Sequence, residues 1–511
     1  MNQNANILIL NPPSPPYFDI CRDYAGGFGV AWHTKREDYG QSNKPCFHPF
    51  LPYASAVLLN EGYNYSVLDC QRLKLDKLDS LANIKKKNPD IIFSLIGLPS
   101  LKKDIELLNL VKNSLPNAVI VGVGTVCQFL ENEILLNNKI DAISRTNYPY
   151  VSNMAELIKA LSLRRDLKTV LGVSFVKDGN VIHTPESPDI DLGKLLPPCY
   201  DSLKLDGYEN FTDKSGNAYN YIPILTGKGC PYTCIYCPYP LGCGKKWTHK
   251  SSSAIISEIE YLYARKIKSF CFRDQSFPMD KKFTIEVCKE IIHRKLDIAW
   301  VSEARVDVVS KNLIELMTKS GCKRIHYGVE TGDPTLIKIG KPGINLETTK
   351  RAFRLTKESG LWTNAHVILG WPDETLETLA RTYRFLLEIN PDSINWNFLT
   401  PYPGTKLYEM AKENNLILTH DWSNYTSHTV VMRTKELNGD QLQKAANKII
   451  RDYSKHRVME LLLHVGKQPR LAVKELKQTI KGYLIEAMSA HVSRDDAKPA
   501  SSKDQSSNLI S

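Results

Sequence analysis

The chain has 511 residues, which is too long for a single hydrophobic core and suggests about three domains. Its apolar content of 42% and charged content of 24% are those of an ordinary globular protein. The net charge of +11 comes without a dense Lys/Arg block or a nucleic-acid-binding motif, and no run approaches the ~18 apolar residues that span a bilayer, so neither a nucleic-acid partner nor a transmembrane segment is expected.

The first 165 residues alternate short apolar runs with helical patterns. These runs are apolar at every position and not only at every second position, which is typical of strands buried on both faces of a parallel sheet. We therefore predict a doubly wound α/β domain, 1–165, with strands at 7–10, 65–68, 91–96, 118–123 and 140–143, and helices at 52–60, 102–112 and 128–136. The polar, uncharged start of the chain is not expected to be a signal peptide.

Ligands of doubly wound sheets bind beyond the carboxyl ends of the strands. Small residues and prolines follow three of the predicted strands, and small residues let a backbone approach a large planar ligand. Ordinary turns of a bare scaffold would have the same composition. The residues concerned are Asn11, Pro12, Pro13, Gly97, Ser100, Gly122 and Gly124. The long loop 12–28 lies near the same edge and is of a length that is often functional.

Residues 166–220 form a joining segment with a predicted hairpin at 173–183. Of the 12 cysteines, most stand singly in apolar stretches, as Cys70, Cys127, Cys271, Cys288 and Cys322 do. That distribution favours buried thiols in a reducing cytoplasm over a disulfide framework.

Three further cysteines, Cys230, Cys234 and Cys237, stand close together at C-x3-C-x2-C spacing just after an apolar run. Three thiolates so close can hold three corners of an iron–sulfur cube and leave the fourth iron open for a ligand. Zinc prefers four ligands, usually two separated pairs, and no matching C-x2-C pair occurs elsewhere in the chain. Cys243 could supply a fourth ligand, which would close the site and make it structural.

Residues 221–406 show six strand–helix units, which predicts a partial (βα)6 barrel with its chemistry at the carboxyl ends of the strands. The strands are predicted at 221–225, 269–272, 298–301, 324–329, 363–369 and 393–399. Residues 407–492 are predicted to be helical, with amphipathic stripes at 442–453, 456–464 and 471–485, and to cap the barrel rather than to bind a membrane surface. The polar residues 493–511 are expected to form a disordered tail.

The cysteine spacing, with Tyr236 just before the last cysteine, resembles the signature of the radical S-adenosylmethionine superfamily. That resemblance implies a 4Fe–4S cluster held by Cys230, Cys234 and Cys237, whose open iron binds S-adenosylmethionine and cleaves it to a 5′-deoxyadenosyl radical. The resemblance also implies which residues contact S-adenosylmethionine, because the polar residues at the strand ends match the family's motifs in the same order along the chain. The residues implied to make these contacts are Tyr236, Asp274, Glu303, Arg305, Glu330, Gly370 and Pro372.

The N-terminal domain resembles the cobalamin-binding domain that precedes many radical S-adenosylmethionine domains. Asn-Pro-Pro follows the first strand, Leu51-Pro52 opens a helix, and the second strand ends at Asp69. By this resemblance cobalamin would lie against Asn11, Pro12, Pro13, Gly97, Ser100, Gly122 and Gly124. The D-x-H-x-x-G motif is absent, so no histidine from that motif would lie below the cobalt.

Together the two resemblances imply a class B-like, cobalamin-dependent radical methyltransferase that acts on an unactivated carbon. The alternative is a non-methylating radical cyclase or C–C bond-forming enzyme; an iron–sulfur or zinc scaffold without activity is a third hypothesis. The expected partners are a small-molecule or lipid substrate and an electron donor such as ferredoxin or flavodoxin, in the cytoplasm.

Overall fold

The computed structural model of the protein describes residues 5–16, 18–33 and 44–464. The chain divides into two compact units, residues 1–442 and 443–511. The first unit contains both large sheets. In the second unit, the described residues end at His464, the last residue of a helix. Within the described residues, no helix is both long enough and apolar enough to cross a membrane.

The N-terminal part of the first unit is a seven-stranded sheet in the order β4-β1-β5-β6-β7-β8-β9. Strands β1 and β4 to β7 run parallel, as the sequence predicts, and the predicted hairpin forms as β8–β9 and extends the sheet antiparallel. In chain order the elements are β1 (Asn6–Asn11), β2 (Phe18–Cys21), β3 (Val30–His33), α1 (Phe50–Asn60), β4 (Asn64–Asp69), α2 (Lys77–Lys87), β5 (Ile91–Leu95), α3 (Leu101–Ser114), β6 (Val119–Val123), α4 (Glu131–Leu135), β7 (Ala142–Ser144), α5 (Met154–Ser162), β8 (Val173–Lys177) and β9 (Asn180–His183).

Strand β1 shows why these apolar runs become central strands. Successive side chains of a strand point to opposite faces. Ile7 and Ile9 belong to the hydrophobic core on one side of the sheet, and Leu8 and Leu10 to the core on the other. All four are fully buried, so only a strand covered by helices on both faces suits this sequence.

The barrel follows as six parallel strands in the order β12-β15-β16-β17-β18-β19, and the two end strands do not pair with each other. The prediction of a partial barrel is confirmed. Its elements, with two small two-stranded sheets, are β10 (Asn210–Thr212), β11 (Ala218–Asn220), β12 (Ile222–Ile224), β13 (Gly227–Lys228), α6 (Tyr239–Cys243), β14 (Thr248–His249), α7 (Ser252–Ala264), β15 (Ser269–Phe272), α8 (Lys281–His293), β16 (Ala299–Ala304), α9 (Lys311–Lys319), β17 (Cys322–Glu330), α10 (Pro334–Gly340), α11 (Leu346–Glu358), β18 (Trp362–Leu369), α12 (Leu376–Ile389), β19 (Ser393–Phe398), α13 (Lys406–Glu413) and α14 (Gly439–His464).

Several elements differ from the sequence-based expectation. The predicted helix at 128–136 is a 3-10 turn followed by the short α4, and α2 and the β2–β3 hairpin were not predicted. Residues 414–438, expected to be helical, contain only one 3-10 turn and a β-bridge between Ile417 and Met432. The two stripes predicted at 442–453 and 456–464 form one continuous helix, α14, and the stripe at 471–485 lies outside the described residues.

Cys70, Cys127, Cys271, Cys288 and Cys322 are free and buried, as predicted. The disulfide between Cys21 and Cys46, which lie 25 residues apart in the chain, departs from the prediction of free thiols. This disulfide belongs to the long connection between β1 and α1.

The carboxyl edge of the N-terminal sheet touches the barrel directly through three small residues. The Thr125 hydroxyl, just beyond β6, donates to the Gly26 carbonyl at 2.6 Å. A Cβ on Gly242 in α6 would lie 2.0 Å from that same carbonyl oxygen and 2.2 Å from the Thr125 hydroxyl. Backbone therefore meets backbone here, and only glycine fits at position 242.

Gly242→Ala tests this contact. The added methyl group should force the sheet edge and α6 apart and lower the free energy of unfolding by about 1–3 kcal/mol, the usual cost of overpacking. Gly193→Ala is the matched control, because that glycine is exposed and its Cβ would meet only ordinary contacts. Equal stability of the two variants in urea unfolding would contradict the close packing.

Candidate functional site

The three motif cysteines lie in the loop between β13 and α6, and neighbouring elements fix the path of that loop. The Ile235 amide donates to the Gly340 carbonyl at 3.2 Å, and the Ile235 carbonyl accepts from the Leu407 amide at 2.9 Å. At the start of the loop, the Cys230 amide donates to the Gly244 carbonyl at 3.0 Å. The thiols of Cys230, Cys234 and Cys237 are free and partly buried, as a site that receives a ligand requires.

The donor set fits an iron–sulfur cluster better than a single metal ion. Zinc–sulfur bonds of ~2.3 Å bring the sulfurs of one zinc site within about 4 Å of one another. Among the described residues, only Cys21, Asp23 and Cys46 place three potential ligand atoms within 4.8 Å of one another. The sulfurs of the three motif cysteines do not all lie within 4.8 Å of one another, so they are not arranged around a single metal ion.

Cys243 has a different environment from the three motif cysteines. It is buried in the hydrophobic core of the N-terminal sheet, and its sulfur accepts from the Gln275 amide nitrogen at 3.4 Å. Burial raises the pKa of its thiol to about 12, as burial also raises the pKa values of the three motif cysteines. Its place in the core of the N-terminal sheet, outside the loop of the three motif cysteines, favours a structural thiol over a fourth cluster ligand.

Tyr236 brings two of the predicted motifs together. Its ring packs edge-on against Trp371 with the ring centroids 5.4 Å apart, and Trp371 lies between Gly370 and Pro372. Burial, followed by the neighbouring Glu330 carboxylate, raises the pKa of the Tyr236 hydroxyl. The turn after β18 therefore lies beside the cysteine loop.

Glu330, at the end of β17, is held in a strained position. Its φ is +66°, in the left-handed region that costs a non-glycine residue roughly 1–3 kcal/mol, and the β17–β18 register shifts at this point. Its carboxylate accepts from Lys341 Nζ at 2.7 Å, with both side chains buried. A Cβ at Gly328 would lie 2.3 Å from that carboxylate, so a larger residue there would displace the Glu330 side chain. Strain of this kind is typical of functional sites.

Arg305, beyond β16, is stacked on the cysteine loop. Its guanidinium lies 3.5 Å from the centre of the Tyr232 ring and makes two hydrogen bonds of 3.0 Å to Asp307. The positive charges of Lys341 and Arg305 act on the Cys234 thiol, where they oppose the increase in pKa that burial causes. The site thus has two cations that stabilise negative charge on the cysteines.

Arg273 forms an ion-pair network that the sequence did not indicate. Its Nε lies 3.1 Å from Asp23 and its Nη1 lies 3.0 Å from Glu303, while the guanidinium stacks on the Tyr24 ring. Its Nη2 is buried without a hydrogen-bond partner among the described residues. Glu303, which the sequence assigned to S-adenosylmethionine, therefore has Arg273 as its structural partner.

Asp274 also has structural partners. Its carboxylate accepts from the amides of Thr226 and Gly227 at 2.9 and 2.8 Å and from the Thr226 hydroxyl, and burial raises its pKa to about 6. It thereby fixes the chain that leads from β12 to the cysteine loop. Its contact with S-adenosylmethionine stays a prediction.

The residues predicted to contact cobalamin gather at the carboxyl edge of the N-terminal sheet, but they contact the chain itself. Arg22 donates to the Asn11 side chain and to the carbonyls of Pro12 and Pro13. The Gly97 amide and the Ser100 hydroxyl donate to Asp104. The Cβ positions of Gly122 and Gly124 would lie within 2.8 Å of Ile96.

At the two points where this edge meets α6, the chain segments are too close for a corrin ring to lie between them. A flat macrocycle needs a van der Waals contact of about 3.5–4 Å on each face, so the groups above and below it must be roughly 7–8 Å apart. The Tyr148 amide, beyond β7, instead donates directly to the Gly242 carbonyl at 2.8 Å. The contact of Gly26 with α6 is equally close.

Glu374 is a further residue of the site that the sequence did not indicate. It is fully buried just beyond Pro372, and its carboxyl group accepts from the amides of Gly370 and Trp371. Burial raises its pKa to about 8, so it is largely protonated at neutral pH. It holds the turn against which Tyr236 packs.

This protonation has a measurable consequence. Because the folded pKa lies above the usual value near 4.5, the folded state binds the proton more tightly, and stability falls as pH rises from about 4.5 to about 8. Glu374→Gln, which is neutral at every pH, should remove a few kcal/mol of this dependence. Asp373→Asn, at an exposed neighbour paired with Lys435, should leave it unchanged. Urea unfolding at several pH values measures both, and identical profiles for Glu374→Gln and the natural protein would contradict the assignment.

The chain is similar to proteins of known family. Residues 224–386 match the radical SAM superfamily. An uncharacterized methyltransferase of Pyrococcus horikoshii is 30% identical over 396 residues, which cover 77% of this chain and 84% of the relative. The anaerobic magnesium-protoporphyrin IX monomethyl ester cyclase of Cereibacter sphaeroides is 26% identical, over 80% of this chain and 67% of the cyclase.

Two solved structures share the fold. TsrM from Kitasatospora setae, a radical S-adenosylmethionine methyltransferase with cobalamin and a [4Fe-4S] cluster bound, has a TM-score of 0.61 and 17% identity over 80% of this chain and 75% of TsrM. OxsB, a cobalamin-dependent S-adenosylmethionine radical enzyme, has a TM-score of 0.70 and 16% identity over 94% of this chain and 72% of OxsB. The predicted fold class is confirmed, and the chain is an enzyme of the radical S-adenosylmethionine superfamily, with the fold of its cobalamin-dependent methyltransferases.

Proposed function

We propose that this enzyme abstracts a hydrogen atom from an unactivated carbon of a small-molecule or lipid substrate. The main support for this proposal is the position of the loop that contains Cys230, Cys234 and Cys237. Backbone hydrogen bonds fix this loop beside the charged residues Glu330, Lys341 and Arg305. When bound, a 4Fe–4S cluster supplies the electron that cleaves S-adenosylmethionine to a 5′-deoxyadenosyl radical.

The charged residues around the loop suit the amino acid part of S-adenosylmethionine. The carboxylate of Glu330 can accept hydrogen bonds from an ammonium group, and the cations of Lys341 and Arg305 can donate to a carboxylate. All three are held by other side chains, so their positions are set before the ligand arrives. Preorganised charge costs no rearrangement when the ligand binds.

One outcome of hydrogen abstraction is methyl transfer to the carbon, with cobalamin as methyl carrier. The methyltransferase of Pyrococcus horikoshii and the architecture of TsrM support this outcome.

The second outcome is ring formation or C–C coupling without a methyl group. The cyclase of Cereibacter sphaeroides supports it, and so does the direct contact of the sheet edge with α6. Forming one C–C bond from two C–H bonds removes two hydrogen atoms. If a 5′-deoxyadenosyl radical takes each of them, two S-adenosylmethionine molecules and two electrons are used for each C–C bond formed. The geometry favours this outcome.

The reaction needs a low-potential one-electron donor, and we propose reduced ferredoxin or flavodoxin in the cytoplasm. The free thiols of the motif cysteines suit a reducing compartment.

Replacing Cys230, Cys234 and Cys237 together by Ala should remove the bound iron and sulfide and abolish 5′-deoxyadenosine formation, because three cluster ligands are lost. Cys243→Ala is the matched control and should keep both, since its sulfur lies in the N-terminal core. Iron and sulfide analysis of anaerobically reconstituted protein measures the result. Loss of the cluster in Cys243→Ala, with the fold retained, would mean that the site is closed.

The products separate the two outcomes. Reconstituted enzyme with S-adenosylmethionine, a reductant and an extract of the source cells should form 5′-deoxyadenosine without S-adenosylhomocysteine if the radical leads to ring formation or coupling. Liquid chromatography with mass detection measures both compounds. Equal amounts of the two would show that the enzyme transfers methyl groups.

A further inference from the structure

We infer that residues 20–28, here called the edge segment, fill the place where a cofactor of a doubly wound sheet would bind, and that this enzyme works without cobalamin. Ligands of such sheets lie beyond the carboxyl ends of the parallel strands. In this protein that place is taken by the chain's own backbone. The inference deepens the proposed radical function and rests on it.

Each of the five parallel strands ends in a contact with the edge segment or with α6. Four of these contacts go to the edge segment and the fifth goes from β7 to α6, and all are hydrogen bonds of 2.6–2.9 Å. In the order of the sheet they join Gln71 to the Ile20 carbonyl, Arg22 to the Pro12 carbonyl, the Leu98 amide to the Phe28 carbonyl, Thr125 to the Gly26 carbonyl, and the Tyr148 amide to the Gly242 carbonyl.

Two buried ion pairs anchor the edge segment in place. Arg22 and Asp104 form an ion pair of 2.6 Å in which both side chains are only 1% exposed. Asp23 is paired with Arg273 of the barrel, with 3.1 Å between the two charged groups. Removing one partner of a buried ion pair leaves an uncompensated charge, so a cofactor could not displace the segment cheaply.

The glycines of the edge segment allow it to pack closely against other parts of the chain. Gly26 has a φ of +62°, and a Cβ there would lie 2.7 Å from the Pro238 carbonyl oxygen. A Cβ at Gly27 would overlap the Tyr150 hydroxyl. These glycines bring the segment against α6 and the sheet, which explains the Gly-rich sequence without a ligand.

The buried histidine of the β1–α1 connection is held in one tautomer, with its Nε2 buried and without a hydrogen-bond partner among the described residues. The Nδ1 of His48 accepts from the Phe50 amide at 3.1 Å, so in the neutral ring the hydrogen is on Nε2. Burial lowers the pKa of His48 to about 4, which keeps the ring neutral. A metal ligand would need the lone pair of Nε2 that this hydrogen occupies.

The test is the cobalamin content of the full-length protein. The protein is isolated without oxygen from cells supplied with cobalamin, its cluster is reconstituted, and it is incubated with hydroxocobalamin before gel filtration. We expect full iron and sulfide, 5′-deoxyadenosine formation, and no retained cobalt. One cobalamin retained per chain would overturn the inference.

Two variants give a second readout. Arg22→Ala should lower the unfolding midpoint by several degrees, because Asp104 is left buried and unpaired, and it should not alter the absence of cobalamin. Lys103→Ala, which removes an exposed ion pair from the same helix, should leave the midpoint unchanged. An unchanged midpoint in Arg22→Ala, or cobalamin bound by the natural protein but not by Arg22→Ala, would contradict the role of the edge segment.

The same samples distinguish failure of the proposed function from failure of the inference about the edge segment. A protein that holds its cluster but never cleaves S-adenosylmethionine would defeat the proposed function, whatever its cobalt content. A protein that cleaves S-adenosylmethionine and retains cobalamin would defeat only the inference about the edge segment.

Discussion

A single buried guanidinium, that of Arg273, ties the N-terminal sheet to the barrel. It meets Asp23 from the edge segment, Glu303 from β16 and the face of Tyr24. Loss of either partner would leave part of the charge unpaired in a buried setting, at a cost of roughly 3–5 kcal/mol. This network, together with the direct contacts of the sheet edge with α6, holds the carboxyl ends of the two sheets against each other.

Fixed positions are also what the proposed radical chemistry requires. A radical that attacks an unactivated C–H bond must be generated within contact distance of its target, because positioning supplies much of the rate. The cysteine loop is fixed by backbone hydrogen bonds from α10 and α13, and Tyr236 is packed on Trp371. Glu330 is held in a strained conformation by Lys341. The residues proposed to bind S-adenosylmethionine are therefore held in place by the fold before any ligand arrives.

Much of the fold could be predicted from the sequence because its strands are continuous apolar runs, of which β1 and β5 are the clearest, and these have few alternative placements. The cysteine loop was predictable from its spacing alone. The pairing of Arg22 with Asp104 across 82 residues, and of Arg273 with Asp23 across 250, was not, since such contacts leave no local pattern. The small residues at the strand ends predict space for a ligand, and only the structure places the edge segment against them. Glu374 was overlooked because a single acidic residue after a turn has no distinctive spacing.

The proposed chemistry requires one iron of the cluster to stay open for S-adenosylmethionine, and electron–nuclear double resonance can detect that binding. The reduced, reconstituted protein is frozen with S-adenosylmethionine labelled with ¹⁵N in its amino group and, separately, with ¹⁷O in its carboxylate. If the amino acid part chelates the fourth iron, both labels will show hyperfine coupling to the reduced cluster. A reduced cluster that shows no coupling to either label, in protein that retains S-adenosylmethionine, would contradict the account.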